Sequence, residues 1–249
     1  MDQIIINADD FGMSLSVNEG IDYCFKYGLI DRTSIMVNMP LFDEACELAM
    51  KNGYYDRIGL HLNLVEGTPL SESIKRTSFC NKNGEFNGSA MSKKINRIYL
   101  EKSTQIAIIE EVDAQCRRYV NCGFSLSHLD SHRHVHTNPS ILRLVLPIAN
   151  QYGFHSIRLS RNIPAKEISF VKRLLKETVN SKILKYNKIN GNDFMITDFG
   201  SMNDVDKSLP IHSDHIIEMM VHPIMKDNIL LEAMGGMNLN QWWNKETHK

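Results

Sequence analysis

Short stretches rich in β-branched and other apolar residues recur along this chain, separated by longer stretches with the 3.6-residue period of amphipathic helices. Ile4 to Ile6 predict a first strand, which ends in the turn-forming Ala8-Asp9-Asp10-Phe11-Gly12. Ser14 has the chemistry of a helix N-cap and predicts a helix to about Tyr27, stopped by Gly28. Thr33 to Asn38 reads as a second strand. A helix after Pro40 runs through about Lys51 to Gly53, and Arg57 to Leu64 reads as a third strand. This β-α-β-α-β order favours a parallel sheet with crossover helices.

The rhythm breaks over residues 66–91, where Gly67, Pro69, Gly84 and Gly88 stand among many polar side chains. A loop of that length in a compact domain is usually a functional lid or a mobile segment. A long helical region from about Ser92 to Asn121 follows, stopped by Gly123, and Leu126 to Asp130 reads as a strand. Asn138-Pro139-Ser140 opens a helix to about Tyr152, and Ser156 to Ser160 is another strand. A basic helical stretch runs from Ala165 to about Leu184, and Asp193 to Thr197 and Ile216 to Val221 are late strands. With no repeat, low-complexity tract or clear linker, residues 1–249 read as one α/β domain. Seven or so β/α units imply a distorted or incomplete TIM-like barrel with a long loop after its third strand.

Length is compatible with that reading, since 249 residues suit a single α/β barrel. A net charge of −1 gives no field that would recruit nucleic acid. Lys172, Arg173, Lys176, Lys182, Lys185 and Lys188 read as a solvated helical face. The N-terminal segment has no basic region before its short apolar run, and nothing reaches the length of a membrane span. The five cysteines are odd in number and contain no C-x-x-C pair, which fits reduced thiols in a cytoplasmic protein.

The candidate chemistry collects at the ends of predicted strands, which face one common site in parallel α/β folds. Residues 128–136 read His-Leu-Asp-Ser-His-Arg-His-Val-His, with His128, Asp130, His132, His134 and His136 at every second position. If extended, the segment would place all five on one face, as a divalent metal site needs. Asp9 and Asp10 are adjacent carboxylates whose repulsion a bound cation would relieve. In Ile58-Gly59-Leu60-His61-Leu62-Asn63, alternation aims His61 and Asn63 into the barrel mouth, with the leucines against helices. His222 sits at the end of Glu218-Met219-Met220-Val221-His222-Pro223, where it could shuttle protons. One carboxylate of the Asp9-Asp10 pair, His61 and one histidine of the string would make a two-histidine, one-carboxylate centre with open positions. Such a centre can lower the pKa of bound water from 15.7 to about 7 and polarise a carbonyl, the requirements of metal-assisted hydrolysis.

Together these four segments resemble the YdjC-like carbohydrate deacetylases, the family that includes chitooligosaccharide deacetylase. The resemblance spans most of the chain in the expected order. It implies a TIM-like β/α barrel that removes acetyl groups from N-acetylated sugars, uses a divalent cation (Mg²⁺) and forms a homodimer. It assigns Asp9 as catalytic base, Asp10, His61 and His128 as metal ligands, and His222 as general acid. Asn63, Asp130, His132, His134 and His136 fall around the substrate or behind the ligands, and Arg158 is a candidate for substrate or carbonyl binding or, equally, for a salt bridge at the barrel rim. On ligand softness alone, two imidazoles and a carboxylate suit Zn²⁺, Mn²⁺ or Fe²⁺ better than Mg²⁺. The C-terminal end departs from the family pattern: Ile224-Met225-Lys226 follows Pro223, and the chain closes through Gly235-Gly236 towards Trp242-Trp243. A barrel phosphoesterase, a sugar isomerase and a catalytically silent sugar-binding protein are the competing readings.

Overall fold

The computed structural model describes residues 3–125, 127–161, 169–187, 194–198 and 216–241. Seven strands form one parallel sheet: β1 (Gln3–Phe11), β2 (Arg32–Ile35), β3 (Ile58–Leu62), β4 (His128–Ser131), β5 (Ser156–Ile157), β6 (Phe194–Asp198) and β7 (Ile216–Val221). They lie in the order β5-β4-β3-β2-β1-β7-β6, and every adjacent pair is parallel. The helices are α1 (Leu15–Lys26), α2 (Phe42–Asn52), α3 (Ser89–Ser92), α4 (Lys102–Asn121), α5 (Pro139–Gln151) and α6 (Phe170–Asn187). All five residues of β3 and all four of β4 are buried, as expected for central strands covered on both faces. None of the helices among the described residues is long and apolar enough to cross a membrane.

Local chemistry sets the element ends. The Ser14 side chain accepts the Val17 amide at the start of α1, and Gly53 closes α2 in the left-handed conformation that glycine adopts without penalty. The β/α alternation and the strand count agree with the sequence reading, but the barrel does not close. Among the described residues no pairing joins β5 to β6, which is the incomplete form of the barrel that the sequence allowed. Strands are also shorter than their apolar runs, because the runs continue into buried coil such as Met36, Val37, Leu64 and Val65.

Two further differences bear on the site. The segment after β3 is not a free lid. Ile74, Phe79, Phe86 and Ala90 are core residues, Glu111 of α4 accepts the Leu70 and Ser71 amides, and Asn38 donates to the Glu66 and Thr68 carbonyls. The helix expected from Ser92 accordingly begins only at Lys102. After β7 the chain forms an antiparallel hairpin, β8 (Pro223–Lys226) and β9 (Ile229–Glu232), which the sequence reading did not contain. Leu126, the 165–168 start of the basic helix, Asp193, Lys188 and Trp242-Trp243 lie outside the described residues.

The hairpin packs against α1 at Gly20, where an added Cβ would meet the Pro223 carbonyl oxygen at 2.7 Å and the Ile224 Cα at 2.9 Å. Those neighbours are backbone and cannot rotate away. Gly20→Ala is therefore expected to destabilise the protein despite gaining about 1 kcal/mol in helix propensity, because overpacking typically costs about 1–3 kcal/mol. A urea midpoint equal to or above that of the unaltered protein would contradict this packing.

Candidate functional site

The C-terminal ends of β1, β3, β4 and β7 share one edge of the sheet, and the register brings their polar residues together. In an ordinary strand Asp9 and Asp10 would point to opposite faces. Here β1 carries one extra residue against β2, between Ala8↔Thr33 and Phe11↔Ile35, and Asp10 has φ 71°. A bulge with a left-handed residue re-aims side chains, and both carboxylates converge on His61. Asp10 Oδ1 lies 3.0 Å from His61 Nε2, and the Asp9, His61 and Asp130 ligand atoms lie within 4.8 Å of one another.

β1 and β3 flank β2, about 10 Å apart at ordinary strand spacing. Their side chains meet above β2 because Ser34 is small there. It donates to Asp130 Oδ2 at 2.8 Å and stands 3.0 Å from His61 Nδ1. His61 and Asp130 are register partners of β3 and β4, and His61 Nδ1 donates to Asp130 Oδ1 at 2.6 Å.

The histidine string does not stay extended. Strand β4 ends at Ser131, and residues 132–137 turn through a 3₁₀ segment in which Arg133 and His134 have φ 49° and 54°. Each imidazole therefore goes to a different place. His132 donates through Nδ1 to Asp10 Oδ1 at 2.7 Å, while its buried Nε2 makes no hydrogen bond and has Glu66 Oε1 3.5 Å away. Asp10, His61 and His132 place three ligand atoms within 4.8 Å of one another. His134 is exposed and lines a cavity of about 270 Å³ with Val65, Arg97 and Arg133. His136 is fully buried, bonded to Ser131 and to the Arg158 carbonyl.

His128 opens β4 rather than closing it and sits beneath the site. Its Nδ1 meets Ser156 Oγ at 3.0 Å, and Arg32 Nη2 approaches its Nε2 at 3.4 Å. The structure therefore brings His132, not His128, to Asp10 and His61. His128 instead shares a separate buried group with Asp130 and Glu218.

Of the two readings of Arg158, the structure shows the salt bridge. Its guanidinium is 0% exposed and joins three strands. Nη1 and Nη2 grip Asp9 at 2.6 and 2.8 Å, Nη2 reaches Asp130 at 2.6 Å, and Nε donates to Glu218 at 2.7 Å. Asn63 likewise turns to protein, donating to Asn38 and the Glu66 carbonyl and accepting the Val65 amide. The register Ala8↔Val221 sets His222 beside Asp9, and Glu232 of β9 accepts both its amide (2.9 Å) and its Nδ1 (3.0 Å).

Residues 3–248 match the model of a family described as YdjC-like protein. This chain belongs to the YdjC-like family. A Vibrio vulnificus protein named carbohydrate deacetylase is 32% identical over 234 residues, covering 94% of this chain and 82% of the relative. A Brevibacillus brevis protein of the same name is 36% identical over 150 residues, and that match takes in 60% of this chain and 56% of the relative. The first relatives are thus matched over little more than half their length. Among solved structures, an Enterococcus faecalis protein described as a candidate cellobiose-phosphate cleavage protein superposes with a TM-score of 0.67 at 26% identity. That superposition covers 91% of this chain and 82% of the other.

The family motifs account for Asp9, Asp10, His61, His132 and His222. Sequence reasoning missed Arg32, Ser34, Glu66 and Glu232, and gave Glu218 no role. The only signal for Glu218 was a lone acid in an otherwise apolar strand, Ile216 to Val221. Electrostatics follow from this crowding of charge. Burial opposes a charge on His61, but Asp130 and Asp10 at its two ring nitrogens push its pKa up to about 10. Asp10 is held well below the usual carboxylate range by His132 and His61 against the opposing effect of burial. Burial would raise Glu218, yet Arg158 and Arg32 bring it down to about 2. Burial pushes His128 down to about 3, with Arg32 adding, and His136 down to about 4.

These shifts fix the sign of acid unfolding. His128 and His136 stay neutral in the fold, but in the unfolded chain they take up protons below about 6.5. Between pH 6.5 and 4 the unfolded chain thus binds more protons, and stability falls as pH falls, by about 1.4 kcal/mol per unit for each such proton. Glu218 adds a loss that begins below its unfolded value of 4.5 and runs through about 2. His61 has the opposite sense, with its contribution complete below 6.5 and lost as pH rises towards 10. Urea midpoints of chelator-treated protein are expected to drop steadily from pH 6 to 4.5, below the range where His61 acts in the opposite sense. A flat or rising profile there would mean that the two histidines are not held neutral.

Proposed function

We propose that this protein is a metal-dependent deacetylase acting on N-acetylated mono- or oligosaccharides. The observation that carries the reading is the Asp10, His61 and His132 group, whose His132 Nε2 makes no hydrogen bond, flanked by Asp9 and His222. Two imidazoles and one carboxylate fit a divalent cation and leave coordination positions for water and a carbonyl oxygen. His132 takes the ligand role that the motif alone gave to His128. Family resemblance favours Mg²⁺, and the donor set accommodates Zn²⁺ or Mn²⁺. When bound, the metal would acidify water and polarise the acetamide carbonyl.

The remaining chemistry belongs to side chains of the chain itself. Asp130 accepts the Nδ1 proton of His61 and so turns Nε2 towards Asp10, as carboxylates behind metal-binding histidines do. Arg158 grips both oxygens of Asp9 and fixes the direction of that carboxylate. Asp9 Oδ2 accepts from Arg158 Nη1 and keeps a lone pair to take a proton from the attacking water. His222 delivers a proton to the departing amine. Acetate and the free amino sugar are the products.

A two-metal phosphoesterase is less well supported. The second carboxylate-histidine group, His128, Asp130 and Glu218, is already neutralised by Arg158, with Arg32 3.0 Å from Glu218. Two guanidiniums there oppose a second cation.

Acetate release from N-acetylglucosamine oligomers, with and without chelator, tests the activity. Release from the unaltered protein is expected to require metal. His132→Ala and Asp10→Asn should each lose metal and more than about 100-fold of activity, beyond the 10–100-fold usual for outer partners. Asp9→Asn should keep metal but lose turnover, and folded His128→Asn should keep metal. Chelator-insensitive release would defeat the mechanism. Stoichiometric metal in His132→Ala, with its loss from folded His128→Asn, would return the ligand role to His128.

A further inference from the structure

We infer that Glu232 is a positioning residue for proton delivery, holding His222 in one tautomer with Nε2 facing the reaction. This inference rests on the deacetylase reading for its chemistry, but not for its geometry. Glu232 is 2% exposed and lies opposite Pro223 across the β8–β9 hairpin, next to the residue it controls. One carboxylate oxygen accepts the His222 amide at 2.9 Å and the other faces Nδ1 at 3.0 Å. The two contacts fix both the backbone and the ring. The hairpin closes the arrangement from the other side, since the Ala233 amide donates to the His222 carbonyl at 2.9 Å.

A carboxylate can only accept at this site, so Nδ1 must carry hydrogen. The exchangeable proton then resides on Nε2, for which the described residues supply no hydrogen-bond partner. His222 keeps 17% of its side chain exposed, while Glu232 keeps 2%. Proton transfer from this arrangement is balanced. As the C–N bond of the acetamide breaks, its electron pair goes to nitrogen, and that nitrogen takes the Nε2 proton. Neutral imidazole remains, with Nδ1–H still on Glu232.

The charged groups facing His222 are Glu232 from β9 and Asp9 and Asp10 from β1. On the α1 side Cys24 lies near Glu232, and burial keeps its thiol protonated. All three facing charges are negative. Burial alone would lower the His222 pKa, but these carboxylates, Glu232 first, hold it above the ordinary histidine value. A proton donor needs that sign to remain charged at neutral pH.

Glu232→Gln keeps the size and removes the charge, and Glu232→Asp keeps the charge on a shorter arm. Nitrogen-15 NMR of the metal-loaded protein reads the His222 tautomer and titration without needing substrate. Acetate release then reads kcat, KM and the pH profile. In Glu232→Gln we expect the His222 midpoint to move down by about one pH unit, with the alkaline limb of kcat following it. We also expect a 10- to 100-fold lower kcat, little change in KM or metal content, and partial recovery in Glu232→Asp. An unmoved His222 titration in folded Glu232→Gln would overturn the inference. So would a loss of activity that tracks lost metal or stability without a shifted pH profile. If the unaltered protein releases no acetate, the deacetylase reading fails, and the NMR result still decides whether Glu232 governs His222.

Discussion

The buried guanidinium of Arg158 holds the ends of three strands in one electrostatic arrangement. Burying an arginine or a carboxylate alone costs several kcal/mol. Here one cation satisfies Asp9 of β1, Asp130 of β4 and Glu218 of β7, so each ion is desolvated only in the company of the others. The cluster is favourable as a set and costly in any part. Removing one member leaves an uncompensated buried charge, which typically costs about 3–5 kcal/mol. Because Asp130 in turn orients His61, the same contact that stabilises the sheet edge sets the direction of a proposed metal ligand.

Two small geometric devices convert this clamp into a site. The extra residue in β1 turns adjacent aspartates to the same side, where Arg158 takes Asp9 and the imidazoles take Asp10. Ser34 then leaves room above β2 for side chains two strands apart to touch. A larger residue at position 34 would push on the His61 Nδ1 edge and on Asp130, which Ser34 now meets. Neither device adds a reactive group, yet both are needed for the reactive groups to converge.

Much of the fold was legible because strand and helix periods are local properties. Ile4 to Ile6, Ser14, Gly53 and the Pro139 helix start each predicted an element that formed. Sheet closure was not legible, since strand count says nothing about whether the edge strands meet. The site was legible as a set of segments, because acids and histidines collected at strand ends. The roles within it were less so. Period-two reasoning held for His128 to Ser131 and failed where Arg133 and His134 enter left-handed backbone, which sent His132 to Asp10 and left His128 beneath. Arg158 stayed open between substrate binding and a salt bridge because a sequence does not show that three carboxylates from distant strands surround one arginine. Glu232 was missed for a related reason: its value lies in a hairpin whose one local signal was the Asp227-Asn228 turn, left-handed at both residues.

The left-handed backbone of Asp10 narrows what variation this position can accept. Most side chains clash with their own carbonyl at φ near 71°, whereas aspartate and asparagine tolerate it. Glutamate would keep the charge and lose the backbone fit, glycine would keep the fit and lose the charge, and asparagine would keep the fit with a neutral group. Aspartate alone meets both demands. Chemical and conformational selection therefore act on the same residue, and drift at position 10 would be restrained even in a descendant that had abandoned catalysis.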